Sequence, residues 1–234
     1  MNAITRNIPN SITCLNLTAG ILSIISASRG YEPQWGLTGM QWAWIFIGIA
    51  AVADFLDGFA ARLLHAYSAL GKELDSLCDL VSFGVAPAIC VYTALAAQPG
   101  CAWWAWGALM IPIGGALRLA KFNIDTRQAT TFRGLPIPAS AIFWIGYCAL
   151  LTQHTGFLGQ WWFFLPLAFC EAWLMVSGWR MFSLKFRTWG WRGNEARWII
   201  IAATAVFIFC LGVAGLFWLI IFYVGLSRLP FAKH

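Results

Sequence analysis

Charge is scarce in this chain. Nine Asp and Glu and fifteen Lys and Arg make up 10% of 234 residues, where a soluble domain carries about a quarter. That excludes an ordinary soluble globule, and no separate soluble domain is evident. Histidine is scarcer still, with three residues that do not cluster, and the seven Cys stand singly with no CxxC. A zinc site or a disulfide framework is therefore not expected, and the Cys read as small core residues. A P-loop and a GxGxxG are also missing. The basic residues lie in loops beside apolar runs rather than in a soluble module, which removes nucleic-acid binding.

What the chain has in quantity is apolar sequence: 60% hydrophobic residues and a mean hydropathy of +0.71. The apolar runs are long enough to be bilayer spans, which need about 20 residues each. Eight are expected, roughly 10–28, 40–63, 73–97, 102–122, 136–154, 160–182, 196–211 and 213–227. The last two read equally as one kinked helix or a hairpin through Gly212 and Gly215. The N-terminal run continues to Arg29 without a convincing small-residue cleavage site, so it reads as a retained first span. The fold class is thus all-α, a polytopic helical bundle forming one membrane domain over 1–234. With eight spans, fourteen of the fifteen Lys and Arg fall on one side and Arg29 alone on the other. The positive-inside rule then puts both termini in the cytoplasm. Most of the fifteen Trp gather near span ends, as in an interfacial belt.

Against this background the stretch DFLDGFAARLLHAYSALGKELDSLCD, Asp54–Asp79, demands a reason. An ionised carboxylate in hydrocarbon costs several kcal/mol, and four lie here. At 100° per residue, Asp54, Asp57, Gly58 and Ala61 share one helical stripe with Arg62 at its edge. Gly71, Asp75 and Asp79 repeat at intervals of four. The LLHAYSAL segment between them reads as a cytoplasmic turn, so the two acidic stripes can face each other. Carboxylates in one small space repel unless a cation joins them. Without His or Cys they suit a hard divalent ion, Mg²⁺ or Mn²⁺. Gly58 and Ala61 read equally as a helix-packing face and as room for a base or sugar. Arg62 is either a snorkelling anchor or a phosphate ligand.

The stretch resembles the signature of the CDP-alcohol phosphotransferases, D-x2-D-G-x2-A-R-x8-G-x3-D-x3-D, at every fixed position. The resemblance implies an integral membrane enzyme with a six-helix core, here about 8–185, followed by two C-terminal helices at about 196–227. Such enzymes displace CMP from a CDP-linked lipid with an alcohol. It further implies divalent metal on Asp54, Asp57, Asp75 and Asp79, with Asp79 as the base that deprotonates the alcohol. Gly58, Ala61 and Asp54 would line the nucleotide pocket, and Arg62 and Lys72 would hold phosphate. Three further stretches resemble the phosphatidylserine synthase branch of the family: NIPNSITCLNLTAG, GGALRLAKFNIDTRQATTFRGLPIPASA and LMVSGWRMFSLKF. They imply CDP-diacylglycerol and L-serine as substrates, a place in the cytoplasmic membrane and, as for many family members, a homodimer.

Serine brings a carboxylate and an ammonium, and the charged residues outside the signature are candidates for them. Arg118 lies inside an apolar span and by default suggests function, binding the serine carboxylate or a lipid phosphate. Lys121 and Asn123 follow it, and Arg133 precedes the Gly134–Pro136 turn. Ser183 and Lys185 match the branch pattern. Thr13 and Asn16 share a face of the first span and can hydrogen-bond a nucleotide or join helices. Glu171, deep in the sixth span, has no assigned role; pairing with Arg118 or protonation would make it tolerable there. Rival readings are another acceptor (glycerol 3-phosphate, inositol phosphate or choline) and an ion-coupled transporter. Internal repeats, usual in transporters, are not seen, and the acids lie near one face.

Overall fold

A computed structural model describes residues 3–124, 134–153, 156–179, 181–182, 190 and 194–228, residues 3–6 as backbone alone. Arg133, Ser183 and Lys185 lie outside the described residues. In chain order the helices are α1 (Ala3–Ser28), α2 (Gly39–Leu63), α3 (Ala69–Asp79), α4 (Ala86–Ala96), α5 (Met110–Ile124), α6 (Ile137–Gln153), α7 (Trp161–Val176), α8 (Glu195–Leu211) and α9 (Gly215–Leu226). A π-helical turn, Leu80–Val85, fuses α3 to α4, so these two make one span. Among the described residues, each of the eight expected stretches carries helix.

Local chemistry sets the joints. α1 begins seven residues before the expected start and runs through Pro9. The ring removes one bond near the helix end, where it is tolerated, and the Thr13 hydroxyl donates to the Pro9 carbonyl at 3.0 Å. Between α1 and α2 a two-stranded hairpin pairs Pro33–Gln34 with Leu37–Thr38. Its two-residue loop, Trp35 and Gly36, has positive φ at both positions, as primed hairpin turns require. Thr38 then starts α2 with a capping box closed by Gln41.

α1 and α2 pack along their lengths, and α6 fills the bundle centre. Trp144 and Tyr147 are fully buried, with Trp144 edge-on to Tyr147 at 5.4 Å. Tyr147 stacks on Phe164 at 6.0 Å, and its hydroxyl donates to the Leu158 carbonyl at 2.6 Å. In a bilayer, lipid tails are as apolar as the core, so helix association rests on close packing of this kind. Gly146 lets α9 approach: a Cβ there would collide with the Phe217 backbone. Phe143 stacks on Phe217 at 4.7 Å.

The structure decides the C-terminal alternative in favour of the hairpin. Gly212 turns with φ +59°, Gly215 lies against the Phe207 carbonyl, and the Phe207 and Phe222 rings meet at 6.2 Å. A straight helix would hold residues 207 and 222 about 22 Å apart. Among the described residues, four stretches are long and apolar enough to cross a membrane: Asn7–Ser28, Gly39–Leu63, Ala69–Ala96 and the hairpin-forming Glu195–Leu226. α6 and α7 are shorter apolar helices.

Candidate active site

The site is built at the α2–α3 turn. α2 ends at Leu63 and the chain reverses over five residues, with His65 in the left-handed region at φ +48°. Ser68 caps α3, its hydroxyl accepting from the Gly71 amide at 2.9 Å. This geometry swings the two acidic stripes together. One carboxylate oxygen from each of Asp54, Asp57 and Asp75 lies within 4.8 Å of the others. Asp57 is buried, and Asp54 and Asp75 are partly so. Asp57 Oδ2 and Asp75 Oδ1 are buried and have no hydrogen-bond partner among the described residues.

Such an arrangement is unfavourable by itself, since like charges repel and buried oxygens want donors. It fits a divalent cation. The donors are all hard oxygens, they converge, and two of them are unspent, which suits Mg²⁺ or Mn²⁺. Asp79 stands one turn beyond Asp75 and outside the group of three. It is buried, and its Oδ1 accepts from Asn16 Nδ2 at 3.2 Å. Thr13, also buried, sits beside Asp57. Arg118 lies within electrostatic reach of Asp79 and crosses the Phe122 ring at 5.6 Å.

The small residues separate into two kinds. Among the described residues, a Cβ on Gly58 would meet nothing within 4 Å beyond its own helix backbone, so no described helix uses Gly58 to approach. Gly71 is: its Cβ would lie 3.0 Å from the Asn10 side chain of α1. Ala61 is partly buried beside the same turn. Arg62 is exposed, and its Nε donates to the Gly58 carbonyl at 2.9 Å.

Three of the expected substrate residues are tied to the frame. Lys72 Nζ donates to the Asn123 carbonyl at 3.2 Å. Asn123 Nδ2 donates to Ser76 Oγ at 3.0 Å, and Ser76 Oγ donates to the Lys72 carbonyl at 3.2 Å. Lys121 Nζ donates to the Val176 carbonyl at 2.8 Å. These bonds lash the end of α5 to α3 and α7 around the acids. An ammonium has three protons, so Lys72 and Lys121 keep donors to offer. Ser76 was not singled out from sequence; its place between Asp75 and Asp79 was the available signal. Glu171 is buried in α7, and the polar groups beside it are Ser140 and Trp144 of α6.

A family model described as CDP-alcohol phosphatidyltransferase matches residues 6–208. The chain belongs to the CDP-alcohol phosphatidyltransferase family. Curated members resemble it over much of their length. A CDP-diacylglycerol–serine O-phosphatidyltransferase of Mycobacterium leprae is 35% identical over 237 residues, covering 97% of this chain and 74% of the relative. The Bacillus subtilis protein of the same name is 40% identical over 149 residues, covering 63% of this chain and 76% of its own. That of Methanocaldococcus jannaschii is 35% identical over 147 residues, 63% of each. Within this CDP-alcohol phosphatidyltransferase, the acidic hairpin occupies residues 54–79, well inside the matched range.

Proposed function

We propose that this protein transfers the phosphatidyl group of CDP-diacylglycerol to the hydroxyl of L-serine, giving phosphatidylserine and CMP. The convergence of Asp54, Asp57 and Asp75, with Asp79 one turn away, is the observation that carries the reading. The relatives' names supply the acceptor.

In this reading Asp54, Asp57 and Asp75 hold the divalent cation, with Asp79 at its edge. When bound, the ion would neutralise the pyrophosphate and the charge that develops on departing CMP. The remaining work falls to the chain. Gly58 and Ala61, with Asp54, leave room along α2 for the cytidine. Arg62 and Lys72 face the phosphates. Arg118, aided by Lys121 and Asn123, holds the serine carboxylate or a lipid phosphate; Arg133 belongs to the same proposed group. Asp79 takes the proton from the serine hydroxyl as its oxygen bonds to the phosphatidyl phosphorus. The bond from that phosphorus to the CMP oxygen breaks, and CMP leaves with the electron pair. The basic surplus on one side of the spans supports placing this site at the cytoplasmic face of the cell membrane. A homodimer is part of the proposal on family resemblance.

The test is CMP release from CDP-diacylglycerol by the purified protein in detergent. Metal would be added or withheld, with L-serine, glycerol 3-phosphate, inositol phosphate or choline as acceptor. Release that needs both metal and serine is expected. Release with another acceptor instead would overturn the assignment of serine and leave the family standing.

A further inference from the structure

Asn16 offers the nucleotide little surface, because it is wholly buried. Its amide nitrogen is spent on Asp79 Oδ1 at 3.2 Å. A carboxylate only accepts, so this bond fixes which end of the amide faces Asp79. The other end, Asn16 Oδ1, is buried without a partner among the described residues. Buried unpaired acceptors are rare and call for a reason. An apolar side chain would fill the same place without that penalty. What it would not supply is the bond to Asp79.

A second bond runs the opposite way. Ser82 Oγ donates to the Asn16 carbonyl at 3.0 Å, and Ser82 is wholly buried too. Ser82 lies three residues beyond Asp79 in the π-helical turn Leu80–Val85. Such turns are rare and are often found at functional sites. One helical turn along α1 from Asn16, Gly20 lies directly against Ser82, where a Cβ would collide with Ser82 Oγ. Two reciprocal bonds and one close backbone approach thus lock α1 to the segment that carries Asp79.

We propose that Asn16 and Ser82 form a latch that positions Asp79, tying down its Oδ1 and leaving Oδ2 to meet the acceptor hydroxyl. Both are positioning residues, acting through Asp79 rather than on substrate. The inference rests on the reading of Asp79 as the base. It differs from a nucleotide-binding role for Asn16, which would act on the lipid substrate's affinity.

The experiment uses the full chain in detergent with metal, and reads kcat and both KM values for Asn16→Ala and Ser82→Ala. A misplacement of about 1 Å can cost about 100-fold in rate. Asn16→Ala is expected to lower kcat by about 10- to 100-fold and Ser82→Ala by about 3- to 10-fold, with each KM within about twofold. In an Asp79→Glu background, where the carboxylate is displaced, Asn16→Ala should change kcat by far less, the non-additivity of residues that act as one unit. A raised KM for CDP-diacylglycerol at unchanged kcat would overturn the latch in favour of nucleotide contact. A lowered melting temperature with unchanged kcat per folded molecule would reduce it to a packing contact and overturn it as well. Ser82→Ala removes a single hydroxyl, so it decides the matter if Asn16→Ala does not fold. A wild-type protein that releases no CMP with serine and metal would instead overturn the proposed function, and the latch with it.

Discussion

Two groups of buried and partly buried polar side chains in this molecule are arranged differently. In the α2–α3 hairpin, Asp54, Asp57 and Asp75 bring acceptor beside acceptor within 4.8 Å. In the bundle centre, the Glu171 carboxylate lies beside two donors, the Ser140 hydroxyl and the Trp144 indole, yet none of these four polar atoms makes a hydrogen bond among the described residues. The first arrangement is self-repelling and awaits something positive. The second sets donors beside an acceptor and sits among packed aromatic rings. Their surroundings differ in the same sense. Phe55, Leu56, Phe59 and Leu77, on the acidic helices, are exposed, whereas most of α6 is buried. The lesson is that the core fixes the frame, and the hairpin keeps an unfavourable charge pattern because the frame holds it.

The comparison breaks first at the acids. Asp79→Asn keeps the size and shape of the side chain and removes its ability to take a proton. A general base contributes about 100- to 10,000-fold, so serine-dependent CMP release should fall by that much with the melting temperature nearly unchanged. Asp57→Asn should act on the metal instead, raising the Mg²⁺ or Mn²⁺ concentration needed for half activity. If Asp79→Asn retained more than about a tenth of the activity, the base would lie elsewhere.

The core should respond in the opposite way. Trp144 is fully buried, and truncating an aromatic of this size costs about 3–5 kcal/mol. Trp144→Ala should therefore lower the melting temperature by many degrees, while kcat per folded molecule stays within a few-fold of wild type. Loss of kcat without loss of stability would mean that α6 takes part in the chemistry, and the division drawn between the two regions would fail.

These contrasts were unevenly legible in the sequence. The acidic hairpin was plain because ionisable residues in an apolar run violate the usual price of membrane burial, and because Asp54, Asp57, Asp75 and Asp79 keep helical spacing. The bundle itself followed from the length of the apolar runs. The π-helical turn at Leu80–Val85 was not legible, since the run from Leu80 to Ala96 is apolar on nearly every face and has no stripe for an extra residue to shift. Asn16 and Asp79 are 63 residues apart, and pairing over that distance depends on how helices pack. Gly212 and Gly215 permit a kink or a reversal alike, so the α8–α9 hairpin was decided by contacts such as Phe207 with Phe222. Glu171 was visible as an anomaly, but its neighbours on α6 were not.

A smaller effect sharpens the core side of the comparison. Glu171→Gln keeps the volume but turns an amide N–H₂ toward one of the two donors. The Ser140 and Trp144 donors have no hydrogen-bond partner among the described residues as they stand, so the exchange breaks no bond and the melting temperature should stay nearly unchanged. Activity per folded molecule should not change, and the KM for serine should not move. A shift in that KM would bring Glu171 into the acceptor site and make the two polar regions one.

The smallest effect tests the open side. Gly58 lies on the acidic stripe, yet a Cβ there meets nothing within 4 Å among the described residues beyond its own helix backbone. Ala is the better helix former by about 1 kcal/mol, so Gly58→Ala should leave the melting temperature equal or slightly higher. If the space belongs to the nucleotide, the added methyl should raise the KM for CDP-diacylglycerol several-fold and leave the KM for serine alone. The same substitution at Gly71 should do the reverse, because there the methyl presses on Asn10 of α1 and strains the fold rather than the ligand. Equal KM values for wild type and Gly58→Ala would show that the cytidine lies off this face of α2. The acids would then keep their metal and their base, and the nucleotide pocket would have to be sought along α1, beside Thr13.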